Sequence, residues 1–198
     1  MRNVILLWFA ASIGLTLTSL ADELSREDVA KELYRESCWA HGQIGKGIAN
    51  RYFSGVDEKQ LKSIYVDNNS NAKGAKEAEL VLAELGAKTF RNSEDYASTR
   101  YVSCLKQKTT EAPNVKRASE VCYRAMSFND KIVEYKYAGK SEEATVEALL
   151  STFKKGQGQE KIMVQLTSNV QTIFSLPAYA TNRYLYNNFR LCMAKVAE

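Results

Sequence analysis

The residues able to do chemistry in this chain are few: four cysteines, one histidine and a scatter of carboxylates. Cys38, Cys104, Cys122 and Cys192 are an even number, and in an oxidising compartment such cysteines pair as disulfides. A redox-active pair would call for Cys-x-x-Cys spacing, which the sequence lacks. His41 follows Cys38 by three residues and on a helix would share its face. Zinc needs three or four ligands, and an oxidised Cys38 supplies none. A packed structural histidine is therefore the better reading, and no metal or other cofactor is expected. Glu36 or Glu120 in an apolar pocket could act as the general acid of a cell-wall hydrolase. Nothing accompanies them: there is no Gly-rich phosphate loop, serine nucleophile elbow or His-rich motif. No catalytic residue is assigned, and the hydrolase stays as an alternative.

The other distinctive residues are tyrosines, eleven in all. Tyr179, Tyr184 and Tyr186 fall near the C-terminus beside Arg183 and Arg190. Tyrosine and arginine are favoured at recognition surfaces because they bury large areas at small entropic cost. Tyr179, Arg183, Tyr186 and Arg190 are the candidate partner-binding residues. Tyr96 and Tyr184 read instead as core aromatics.

These residues need elements to position them. The chain has 198 residues, 45% hydrophobic and 25% charged, with two prolines and ten glycines, a composition that argues against disorder or a collagen-like repeat. Its formal charge of +4 is too small to imply a nucleic-acid partner. Arg2, the apolar run Val4 to Leu20 and the small residues Ser19 and Ala21 read as a signal peptide cleaved after residue 21. That run is shorter than a membrane span and is followed by Asp22 and Glu23 rather than a basic stop. The mature chain holds no second apolar run of spanning length. The sequence thus places a protein that is not integral to the membrane in the periplasm, or outside the cell.

Residues 36–57 align with 120–141 at an offset of 84: Glu36 meets Glu120, Cys38 meets Cys122, Trp39 meets Tyr123, Ile48 meets Ile132 and Gly55 meets Gly139. Further on the offset becomes 88, with Tyr96 opposite Tyr184, Tyr101 opposite Phe189 and Cys104 opposite Cys192. Four cysteines allow three connectivities. The repeat selects Cys38 with Cys104 and Cys122 with Cys192, one bridge per half. The expected organisation is a signal peptide at 1–21, a first helical repeat at 22–108, a linker at 109–115 and a second repeat at 116–198.

The local pattern is helical throughout. Ser25 and Asp28 form an N-terminal signal, and apolar residues from Val29 to Tyr52 recur at near-helical spacing, predicting a helix over 26–53 with a counterpart over 116–137. Gly55 and Gly139 sit where a left-handed residue closes a helix. Asp57 and Ser141 then cap second helices at 58–66 and 142–154. Third helices fit 75–85 and 160–174, and fourth helices 94–107 and 178–196. No alternating strand pattern appears, so the class is all-α.

The order Cys38, Gly55, then a Tyr96 helix ending in Cys104, repeated as Cys122, Gly139, then a Tyr184 helix ending in Cys192, resembles small exported helical proteins of bacteria and their phages. The resemblance implies the fold and no particular chemistry, and this chain differs in carrying two copies. The expected function is non-enzymatic binding of a protein in the periplasm or extracellular space, as an inhibitor or immunity-type protein. A carrier of an apolar small ligand is the other alternative.

Overall fold

The computed structural model describes residues 25–108, 114–152 and 159–196. The segment expected to be a signal peptide, 1–21, and residues 109–113 of the expected linker lie outside the described residues. Within them the chain is all-helical, with no strand. Two disulfides join Cys38 to Cys104 and Cys122 to Cys192, the pairing that the two offsets select.

The helices are α1 (Arg26–Phe53), α2 (Glu58–Lys62), α3 (Ala72–Ala87), α4 (Ser93–Leu105), α5 (Val115–Ala125), α6 (Ser127–Tyr137), α7 (Glu142–Leu150), α8 (Gln159–Ser175) and α9 (Ala178–Val196). Local chemistry sets most of their ends. Gly55 and Gly139 are the glycines with positive φ among the described residues, at +88° and +76°, a conformation that strains any residue with a Cβ. The side chain of Asp57 accepts from the Gln60 N–H, and that of Ser141 from the Ala144 N–H, so the helices after both corners are capped alike. Asn71 and Asn92 cap α3 and α4 in the same way.

Two elements depart from the expected pattern. The helix expected over 58–66 stops at Lys62 and continues as a π-helical turn, Ser63–Asp67. The single helix expected over 116–137 is two, broken at Met126. The break has a tertiary cause. Lys46 of α1 donates from Nζ to the carbonyl oxygen of Tyr123 at 2.8 Å, which is the acceptor a continuous helix would offer to the N–H of Ser127.

Residues Met1–Tyr34 form one unit, of which only the start of α1 is described; there Ser25 Oγ accepts from the Asp28 N–H and Lys31 pairs with Glu27. Arg35–Glu198 form a second compact unit. Three apolar groups fill that second unit. Ile48, Leu61, Val81, Leu82 and Leu85 bury one another in the first half, and Ile132, Leu149, Leu166, Val170 and Ile173 do so in the second. The third is a ring cluster of Trp39, Tyr101, Tyr123, Tyr186 and Phe189, with centroid separations from 4.8 to 6.5 Å. Buried aromatic area at such spacing is a large source of stability. The helices approach closely here because Gly42 has no side chain: a Cβ would lie 2.2 Å from Tyr123 Oη and 2.9 Å from the Ala97 carbonyl oxygen. Gly45 allows the same close approach, since a Cβ there would lie 2.8 Å from the Tyr96 ring.

Candidate functional site

Of the four residues singled out as a recognition surface, Tyr179 is 83% exposed and Arg183 and Arg190 are also exposed. Tyr186 does not belong with them. It is 2% exposed, with its ring 5.6 Å from that of Trp39, so it fills the central aromatic core and presents no surface. Arg183 reaches back to α1, where Nη1 donates to Glu36 Oε2 at 2.5 Å. That contact, across 147 residues of sequence, takes up part of the charge a partner would otherwise meet.

The two carboxylates weighed for catalysis are both engaged by arginines. Glu36 pairs with Arg183, and Glu120 pairs with Arg91 at 2.5 Å and Arg124 at 3.5 Å. His41 lies 3.4 Å from Glu77 and 3.4 Å from Arg100 Nη2, and Cys38 beside it is in a disulfide. Among the described residues no group of three or more His, Cys, Asp or Glu side chains is placed to hold a metal ion.

An apolar concavity lies between α7 and α8. Its floor is Val146, Leu150 and Val170, the outer edge of the second core group. Its rim is Glu142, Glu143 and Glu147. The opening is about 560 Å³, within the range of small-ligand and side-chain pockets. Glu142 and Glu143 open α7, where acidic side chains suit the positive end of the helix, and Glu147 follows Glu143 by four residues on the same face. Glu143 is held below the usual carboxylate range by hydrogen bonds from its own backbone N–H and from Ser141. Sequence reasoning missed this groove. Its one available signal was the run of acidic residues next to Val146 and Leu150, which also suits an ordinary amphipathic helix.

A second concavity, polar and about 510 Å³ in volume, opens between α1 and α6 around Lys46 and Asp130. Lys46 is 1% exposed and donates to Asp130 Oδ2 at 2.7 Å and Ser127 Oγ at 3.1 Å. Burial pushes the Asp130 carboxyl above its ordinary pKa, with the attraction of Lys46 opposing it. All its lining charges are of mixed sign, and it serves as the joint between α1 and α6.

Two buried phenols make a pH dependence that can be measured. Tyr96 donates from Oη to Glu84 Oε2 at 2.6 Å, and Tyr123 donates to the Trp39 carbonyl oxygen at 3.1 Å. Burial raises the pKa of both well above the ordinary value, assisted at Tyr96 by the Glu84 carboxylate and at Tyr123 by Tyr101. In the unfolded chain each ionises near pH 10. The unfolded state then loses protons that the folded state keeps. Stability is therefore constant with respect to these groups below about pH 10 and falls above it, by about 1.4 kcal/mol per pH unit for each phenol. Urea midpoints measured from about pH 9 to about pH 11 should fall accordingly, with a shallower slope for Tyr123→Phe. An equal slope in that variant would show that Tyr123 does not contribute.

Among the described residues no helix is long and apolar enough to cross a membrane. Comparison of the chain with models of known protein families, with curated proteins and with solved structures finds no match.

Proposed function

We propose that this chain is an exported, non-enzymatic binding protein whose partner is a protein seated in the groove between α7 and α8. The observation that carries the reading is an apolar floor ringed by three glutamates with no ion pair among the described residues. Such a groove suits an amphipathic segment that inserts apolar side chains and flanks them with lysine or arginine. The rim would speed encounter and reject acidic segments, and the floor would supply affinity. Occlusion of that segment is the inhibitor or immunity-type role.

Two further readings belong to the same proposal. Export through a cleaved leader is supported by two disulfides in the chain, since such bonds persist in oxidising compartments. Tandem duplication, as in a doubled copy of the small exported helical proteins that the cysteine pattern resembles, is supported by the core. Leu61, Leu82 and Leu85 of the first apolar group stand 88 residues before Leu149, Val170 and Ile173 of the second, and Ile48 stands 84 before Ile132. Lys46 and Asp130, which pair, are themselves 84 apart, as expected where two copies meet about a two-fold axis.

The test is purification of the tagged mature chain from its own host's oxidising compartment, beside Leu150→Asp and Glu147→Lys variants. One stoichiometric protein partner is expected for the parent. Each variant should bind it at least about tenfold more weakly, about 1.4 kcal/mol. Retention of the partner by both variants would remove the groove from the account. An apolar small molecule in native mass spectra, with no protein partner, would make the chain a carrier using the same groove.

A further inference from the structure

On the first half, away from the α7–α8 groove, α1, α3 and α4 enclose a smaller pocket of about 290 Å³. Its base is a network of titratable groups. Arg100, 7% exposed, donates from Nη2 to Glu77 Oε1 at 2.5 Å and lies 3.5 Å from Glu84 Oε2 through Nε. Tyr96, fully buried, donates to the same Glu84 oxygen. His41 completes the base beside Arg100 and Glu77. Above it the walls carry Lys88, Ser103 and Gln107 as hydrogen-bonding groups and Leu80 and Phe90 as apolar surface.

The fold does not require this network. In the register that pairs the two halves, His41, Glu77, Glu84 and Arg100 stand opposite Ala125, Gln165, Thr172 and Asn188. The second half builds the corresponding helices with neutral residues at all four places. The charged version has a penalty. A buried guanidinium must be desolvated, and Arg100 Nη1 has no hydrogen-bond acceptor. Groups that strain a fold and border a cavity mark a site of function.

We propose that this pocket binds a neutral polyhydroxylated small molecule the size of one sugar ring. Charge gives an anion no advantage, because the two carboxylates of Glu77 and Glu84 balance the two cations Arg100 and Lys88. Polarity decides against an apolar ligand, which would cover the Glu84, Ser103 and Gln107 groups that line the pocket without offering a hydrogen bond to any of them. Hydroxyl groups both donate and accept, so neighbouring hydroxyls on one ring can meet the planar Glu84, Gln107 and His41 groups at once. The C–H edge of the ring would rest on Leu80 and Phe90. The ion pairs hold these groups in place beforehand, which lowers the ordering cost of binding. A pocket at the lower limit of small-molecule sites admits one ring and no longer chain.

The experiment is a titration of the 15N-labelled, disulfide-bonded chain from Asp22 with glucose, galactose and N-acetylglucosamine, and with acetate as the anionic comparison. At least one sugar should shift the amides of Glu84, Thr99, Ser103 and Gln107, with a dissociation constant on the order of 1 mM. Acetate should leave them in place. Ser103→Trp, which fills the opening from an exposed position, should weaken the sugar at least about tenfold without moving the thermal midpoint. Arg100→Lys, which cannot reproduce the planar fork, should weaken it as well. The proposal is overturned if none of the three sugars moves these amides, if acetate moves them instead, or if Ser103→Trp leaves sugar binding intact.

Discussion

Replacing Cys38 and Cys104 together by alanine is expected to lower the unfolding free energy by roughly 4 kcal/mol, and replacing Cys122 and Cys192 should do about the same. The magnitude comes from the sequence separations of 66 and 70 residues that the two bridges close. Each removes from the unfolded chain the freedom of a long loop. A domain of ordinary stability has only about 5–15 kcal/mol in total, so loss of both bridges should leave the chain largely unfolded. Urea unfolding of each double variant, and of the parent with and without a thiol reductant, measures the effect. The native cysteines other than Cys104 and Cys192 are fully buried, so alanine also leaves small cavities, and the loss should not fall below the loop value on that account. A loss under about 1 kcal/mol at either bridge, against the 2–5 kcal/mol typical of a native disulfide, would mean that the unfolded state of that half is already restricted.

Asp130→Ala carries the second large effect. It leaves the Lys46 ammonium, 1% exposed, with only the Tyr123 carbonyl and Ser127 hydroxyl as acceptors. Breaking a buried pair from one side typically costs about 3–5 kcal/mol, because the remaining charge is uncompensated. Lys46→Met combined with Asp130→Leu should by contrast come close to the parent, since apolar groups of similar volume avoid the desolvation penalty. The exchange Lys46→Asp with Asp130→Lys should recover much of what either single reversal loses. Chemical unfolding of the four proteins in a double-mutant cycle reads the coupling directly. Additive single losses would show that the pair is not a unit. The break at Met126 rests on the Lys46 contact with the Tyr123 carbonyl, which Asp130→Ala leaves in place, so α5 and α6 should stay separate helices in that variant.

The sequence by itself determined the features written within a few residues of one another. Apolar spacing over 26–53 made α1, Asp57 and Ser141 started the next helices, and Gly55 and Gly139 closed the corners because only glycine takes positive φ without strain. The disulfide pairing was also legible, since the two offsets matched cysteines as well as aromatics. Tertiary structure decided what depends on which distant helices meet. Tyr186 and Tyr179 look alike along α9, yet one packs under Trp39 and the other projects into solvent. Nothing local to Lys46 names Asp130 as its partner across 84 residues, and nothing local to Tyr123 foretells that its carbonyl will be taken by Lys46. The Arg100 network and the α7–α8 groove arise in the same way, from α1, α3 and α4 in one case and from α7 and α8 in the other. Backbone caps act through bonds three or four residues long, whereas burial of a helix face and the pairing of a buried charge are set only when another helix covers them.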